Sequence, residues 1–279
     1  MSTRDDTPGL AAALTRVPDV PHWVDTRGML ESGRAEVWFA HSADTARDGF
    51  VVTMSDMALA SVVGAAPGVL IESALGQLSV DVGVLAQDAD ADTVAGVRPA
   101  WRRQTAIMHA LPGRMPWERE VDETTRIFYL DNPPPLDHVP ERLRLELEAA
   151  LKGRPTTRFV EGVVPARQDA DADAGALMPV AAAWHAGLPV SFCYPVLQTA
   201  SLWDVSIDTL EEYRGLGLAR RAARALVRQM RRVGKAPVWG ALSSNHASLA
   251  LARRLGFEEA GRLAVFDQGS SATVKSPPG

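Results

Sequence analysis

Between Trp203 and Val233 the sequence changes its period, and that change constrains the fold more than any other feature. Trp203, Val205 and Ile207 alternate with Asp204, Ser206 and Asp208, the two-residue repeat of a strand. Arg214-Gly215-Leu216-Gly217 interrupts this pattern. Leu218, Ala222, Leu226, Met230 and Val233 then recur at helical spacing until Gly234 stops them. A strand that passes through a tight glycine turn into a long amphipathic helix is the basic unit of an α/β domain.

The surrounding sequence extends this unit. Upstream, Glu141–Leu151 carries Leu143, Leu145, Leu147 and Leu151 among charges, as an amphipathic helix ended by Gly153. Pro179–Trp184 and Val190–Leu197, separated by His185-Ala186-Gly187-Leu188-Pro189, read as a β-hairpin, and Ser201–Asp208 continues as a strand. Downstream come a buried strand at Ala236–Leu242, a helix at Asn245–Leu255 closed by Gly256, and a last strand at Phe257–Phe266. The order predicts an α/β fold with a mixed sheet flanked by helices.

Asn132-Pro133-Pro134-Pro135 marks the expected junction, because consecutive prolines remove donors and push each preceding residue out of the helical region. The expected domains are therefore residues 1–135, an N-terminal α/β lobe, and 136–270, followed by a tail at 271–279. In the first lobe Gly49–Ser55 and Met57–Gly64 read as strands, Ala66–Leu78 as a loop leading into a helix, and Trp101–Leu111 as a helix. Gln87-Asp88-Ala89-Asp90-Ala91-Asp92 recurs at residues 168–173, but neither copy has the glycine and bidentate glutamate of a calcium loop. Both read as solvated loops, and no metal site is expected.

Composition narrows the partners. The 279 residues include 29 basic and 34 acidic side chains, a net charge of −5, which gives no general attraction to nucleic acid or to a membrane surface. The longest apolar run, Met57–Ile71, is too short and too broken by Ser61, Gly64, Pro67 and Gly68 to span a bilayer. Met1–Pro8 lacks the features of a secretory signal, and the single cysteine, Cys193, fits a reducing cytoplasm.

The glycine turn carries the chemistry. The first N–H groups of a helix have no internal partner, and with the helix dipole they attract anions, which glycines allow to approach closely. A pyrophosphate is the expected guest. A Walker loop would need Gly-Lys-Ser/Thr, and a Rossmann loop a third glycine where Arg220 stands; neither is present. What remains is Arg-x-x-Gly-x-Ala at Arg214, Gly217 and Ala219, followed after the next strand by Asn245, Ser248, Leu251 and Leu255-Gly256-Phe257.

This pair of motifs resembles the acetyl-coenzyme A site of the bacterial members of the GNAT superfamily of N-acetyltransferases, over residues from about Glu141 to Phe266. The resemblance implies that backbone N–H groups of Arg214, Gly215, Leu216, Gly217, Leu218 and Ala219 hold the pyrophosphate. It further implies that Ile207, Asp208 and Thr209 pair with the pantetheine arm and that Asn245 contacts the cofactor. A purely structural turn at Gly215 and Gly217, and a plain helix N-cap at Asn245, stay open. The family often has a tyrosine acid seven residues after the asparagine; here that position is Ala252, with Tyr194 and Tyr213 the nearest substitutes.

The expected activity is direct transfer of an acyl group from acetyl-coenzyme A to an amine of a small molecule or peptide, with a non-catalytic acyl-coenzyme A sensor as the alternative. The amine has to lose a proton, and Asp204, on the polar face of its strand, is the candidate base. A merely solvated face is the competing reading. Asp208 could instead cap the turn. His185 and His246 read as surface residues, Cys193 as a small core residue, and the arginines from Arg220 to Arg232 as a solvated helix face. One or two near the helix start could meet the cofactor's 3′-phosphate. The first lobe could be a degenerate copy of the same fold, a lid, or the interface of a homodimer.

Overall fold

The computed structural model describes residues 7–40, 49–78, 82–120, 122–128, 133–151 and 179–268. In chain order the first elements are α1 (Thr7–Arg16), α2 (Val24–Glu31), β1 (Glu36–Phe39), β2 (Phe50–Met54) and β3 (Leu59–Val63). Next come α3 (Gly68–Leu75), β4 (Gly83–Ala86), α4 (Asp88–Val97), β5 (Arg102–Ala110) and β6 (Thr125–Phe128). They are followed by α5 (Glu141–Leu151), β7 (Val180–His185), β8 (Leu188–Gln198) and β9 (Leu202–Thr209). The chain closes with α6 (Leu218–Arg232), β10 (Ala236–Leu242), α7 (His246–Leu255) and β11 (Glu258–Asp267).

Two compact units emerge. One runs to Met108 and takes up the chain again from Ala260; the other is His109–Glu259. The proline run lies inside the second unit, and Asn132 falls outside the described residues. Sequence punctuation marks local breaks in helix or strand, whereas compact units follow where strands find partners. Here β11, last in the chain, sits beside β4 in the first unit, with Ala264, Val265 and Phe266 opposite Ala86, Leu85 and Val84.

In the first unit the strands lie in the order β1, β2, β3, β4, β11, β5. β2 is antiparallel to β1 and β3, while β3 and β4 run parallel. Leu70 and Ile71 of α3 and Ala91 and Val94 of α4 are buried in one cluster with Val62, Val84 and Phe266. Arg102–Ala110 is a strand and not the helix expected at Trp101–Leu111. The reason is tertiary: Arg102 and Gln104, two residues apart and so on one strand face, both donate to the Asp267 carboxylate of β11.

The first Gln-Asp-Ala-Asp-Ala-Asp copy is also corrected, because Asp88 starts α4 and Asp90 is only 7% exposed. Acidic residues in a first turn complement the helix dipole, so a pattern that reads as a loop by composition is a good helix start. The second copy, Gly153, the Met1–Pro8 segment up to residue 6 and the tail lie outside the described residues.

The second unit has the strand order β6, β7, β8, β9, β10. β6 to β9 are antiparallel and β10 is parallel to β9. α6 packs on β7, β8 and β9 and buries Leu218, Ala222, Leu226 and Met230, the stripe read from the sequence. α5 packs against β7 and β8. From Glu141 onward the expected order of helix, hairpin, strand, helix, strand, helix, strand is the observed one.

Candidate functional site

β8 holds β9 along nearly its whole length, from Ser191 opposite Thr209 to Pro195 opposite Val205. On its other edge β9 pairs with β10 only at Leu202, Trp203 and Asp204, opposite Ala236, Pro237 and Val238. Beyond that point the ladder ends, although β9 continues to Thr209 and β10 to Leu242. The backbone groups of Val205, Ile207 and Thr209, the alternate residues turned away from β8, therefore face a gap that no strand among the described residues closes, and buried backbone groups require partners.

At the wide end of this fork a short 3₁₀ turn, Glu211–Tyr213, leads through Arg214 and Gly215 to Gly217, which caps α6. Gly215 and Gly217 have φ of +79° and +76°, a region that costs an L-residue dearly, so the positions require glycine. A side chain at Gly215 would meet nothing within 4 Å, and one at Gly217 only the Arg220 Nη2 at 3.9 Å. The space above the turn is open. No side chain caps α6, so its first N–H groups are presented to an incoming anion.

Asp204 is half-buried at the last paired position, where the fork begins. The expected alternation holds: Trp203, Val205 and Ile207 are buried on one face. The opposite face is less wet than a solvated surface, with Ser206 buried and Asp208 half-buried. Asp208 does not cap the turn; its Oδ2 accepts from the Tyr194 hydroxyl at 2.7 Å. Burial pushes the Asp208 carboxyl above its ordinary pKa, against the Tyr194 hydrogen bond and the charges of Arg142 and Arg214, which pull it down. Burial and then the Asp208 charge push the Tyr194 phenol well up, so it remains a donor.

Tyr194 also lies 3.2 Å from Glu146 Oε2, which pairs with Arg142 one turn earlier on α5. Sequence reading passed over Glu146 and Arg142, since an i,i+4 pair on an amphipathic helix looks like any solvated face.

Asn245 is the N-cap of α7, its Oδ1 accepting from the Ser248 N–H at 3.1 Å. Ala252 is fully buried on the same helix. Tyr213 meets the exposed His185 ring edge-on, with centroids 5.6 Å apart, and His246 is exposed. Cys193 is buried in the core, and burial, with the charges of Asp204 and Asp208 adding to it, raises its thiol pKa. Among the described residues no group of metal-ligating side chains is present, and no helix is long and apolar enough to cross a membrane.

Residues 181–266 match the family model of the GNAT acetyltransferases. An uncharacterized N-acetyltransferase of Bacillus subtilis (strain 168), YdfB, is 34% identical over 85 residues, which is 30% of this chain and 33% of that relative's length. A GCN5-related N-acetyltransferase-like protein from Streptococcus suis superposes with a TM-score of 0.64 at 17% identity, covering 93% of this chain and 98% of its own. A tandem GNAT protein from the clavulanic acid biosynthesis pathway does so with a TM-score of 0.53 at 14% identity, covering 96% and 97%. These two structures share the fold.

Proposed function

From the match of residues 181–266 to the GNAT acetyltransferase family model we propose that the protein moves an acetyl group from acetyl-coenzyme A directly to an amine of a small molecule or peptide. The observation that carries this reading is the fork: β9 and β10 part after Asp204 and Val238, and an open, glycine-lined helix start stands at its wide end. The shape and donor set fit the cofactor. First-turn N–H groups of α6, with Arg214 to Gly217, would hold the pyrophosphate, and the free edge of β9 at Ile207 and Thr209, on either side of Asp208, would bond the amides of the pantetheine arm. Bound there, acetyl-coenzyme A supplies an acyl group activated as a thioester.

The chain's own residues do the rest. Asp204, at the narrow end, accepts the proton that the attacking amine loses as its nitrogen bonds to the acyl carbon. The bonding pair of the broken carbon–sulfur bond leaves with sulfur, and a thiolate needs little help to depart. This suits a protein whose Ala252 is buried and supplies no acid. Asn245, already a cap through its Oδ1, would border the cofactor from α7. The catalytic elements lie within residues 136–270, and the reaction belongs in a reducing cytoplasm.

The test is binding followed by turnover. Coenzyme A should raise Tm in wild-type protein and not in Gly217→Val, and free thiol should appear only with acetyl-coenzyme A and a suitable amine. Unchanged affinity in a folded Gly217→Val would remove the pyrophosphate assignment. Binding without thiol release across a broad panel of amines would replace the enzyme by an acyl-coenzyme A sensor.

A further inference from the structure

β9 and β10 are held together at only three positions, Leu202, Trp203 and Asp204 opposite Ala236, Pro237 and Val238, and Pro237 has no N–H to give to that ladder. So short a ladder is weak, yet the point where it stops fixes both the bare edge of β9 and the place of Asp204.

A buried lysine stands at its closed end. Lys235, between α6 and β10, is only 6% exposed, and its Nζ donates to the Thr199 carbonyl oxygen at 2.7 Å, in the turn from β8 to β9. The Lys235 N–H donates to the Met230 carbonyl oxygen of α6, and the next residue, Ala236, donates to the Ser201 carbonyl oxygen at 2.8 Å. Thr199 is itself buried and closes the turn: its N–H donates to the Leu202 carbonyl oxygen at 2.9 Å, and its Oγ1 accepts from the Leu202 N–H at 2.8 Å. Lys235 thus joins the end of α6, the start of β10 and the turn into β9.

An ammonium taken out of water is costly unless its hydrogen bonds are made. The residue type fits the place. Of 29 basic side chains only three are lysines, and here a compact ammonium on a thin stem reaches a carbonyl oxygen in a slot where a planar guanidinium would bring a broader set of donors to satisfy.

We propose that Lys235 is a positioning residue for acyl transfer: by tying β10 to Thr199 it sets the register of the three-position ladder and keeps the fork opening directly after Asp204. The proposal rests on the roles given above to Asp204 and to the bare edge of β9. Lys235 lies at the opposite end of β9 from the glycine turn, so it acts through the ladder and not through the pyrophosphate site. If β10 slides along β9 or peels from it, Asp204 loses its pairing with Val238 and shifts against the thioester, and a misplacement of about 1 Å can cost about a hundredfold in rate.

The test is Lys235→Met, which keeps an unbranched apolar stem and removes the ammonium. It is read three ways: kcat per folded molecule, coenzyme A affinity, and amide hydrogen exchange at Ala236 and Val238. We expect kcat to fall by about tenfold or more while coenzyme A affinity stays within about threefold, and exchange at the two amides to accelerate. Thr199→Val, which removes the hydroxyl that accepts from Leu202 and keeps the shape, should act in the same direction with a smaller effect; it serves if Lys235→Met does not fold. A lowered Tm with wild-type kcat per folded molecule would make Lys235 merely structural and overturn the proposal. Unchanged exchange would overturn it too, as would an equal loss of kcat and coenzyme A affinity, since the lysine would then be holding more than the fork. Absence of thiol release from wild type with any amine would instead sink the acyl-transfer reading, and exchange alone would still decide whether Lys235 holds the ladder.

Discussion

Each unit contains a strand, a glycine turn, a helix and a returning parallel strand, yet the two versions end in opposite chemistry. In the second unit β9 and β10 separate after three pairs. In the first, all of β4 is paired with β3, from Leu59 opposite Gly83 to Val62 opposite Ala86, so no fork opens. The turn that follows β3 is closed as well. The Gly64 N–H donates to the Asp90 carboxylate, and Gly49 packs so tightly that a Cβ there would come within 2.0 Å of the Ala66 nitrogen. An anion from α4 therefore occupies the kind of backbone donor that the second unit leaves open. A glycine turn before a helix is thus only half of the proposed cofactor site; the other half is a ladder that ends early.

The comparison breaks most visibly at the carboxylates. β3 carries none, whereas β9 carries Asp204 and Asp208. Asp204→Asn keeps shape and removes the proton acceptor, so kcat should fall by about two to four orders of magnitude with coenzyme A affinity unchanged. Stopped-time thiol release and calorimetry measure the two quantities separately. A normal kcat in folded Asp204→Asn would remove Asp204 as the base.

Matched substitutions in the two turns give the next largest effect. Gly217→Val should weaken coenzyme A binding by about a hundredfold or more, because a branched side chain then stands where the pyrophosphate must approach. Gly64, at φ +69°, has the same backbone constraint. Gly64→Val should lower Tm and leave coenzyme A affinity alone. Titration of the wild type should give one coenzyme A per chain. Two would mean that the closed turn opens in solution and that the contrast between the units is wrong.

A smaller effect is expected at Tyr194. Its hydroxyl is committed to Asp208 and its pKa is raised, so it is poorly suited to give a proton to a leaving thiolate. Tyr194→Phe should leave kcat within about threefold of wild type. A loss of two orders of magnitude with intact folding would make Tyr194 the replacement for the tyrosine absent at Ala252.

The two units also differed in how much the sequence disclosed. From Glu141 on, hydrophobic period and glycine stops agree element by element, because α6 buries an apolar stripe and β9 alternates apolar with polar side chains. In the first unit the strands read at Gly49–Ser55 and Met57–Gly64 and the helix within Ala66–Leu78 are found as β2, β3 and α3, but α4 begins as an acidic repeat that hides the period of its own structure. Trp101–Leu111 read as a helix because its strand character comes from Asp267, more than 150 residues away in sequence, reaching Arg102 and Gln104. The family resemblance implies a free strand edge at Ile207–Thr209, but the residues themselves do not show where the fork begins. Trp203 to Thr209 looks like one continuous strand, and only the register with β10 reveals where its second edge is bare.

The smallest expected effect tests the closed turn itself. Burial raises the Asp90 pKa and outweighs the Gly64 hydrogen bond that lowers it. With the folded-state pKa above the unfolded one, the native protein binds more protons than the unfolded chain in the interval between them. Stability is therefore lost as pH rises from the ordinary carboxylate range through the folded-state pKa, and at neutral pH the ionised Asp90 is a net cost to the fold. Asp90→Asn retains a carbonyl oxygen to accept from Gly64 without the charge, so Tm at neutral pH should rise by about 1–3 °C, and the gain should vanish at acidic pH. Thermal melts of both proteins across that range measure this directly. A Tm that falls in Asp90→Asn at neutral pH would show that the turn needs a full negative charge, and the closed turn of the first unit would then be an anion site in the same sense as the open one.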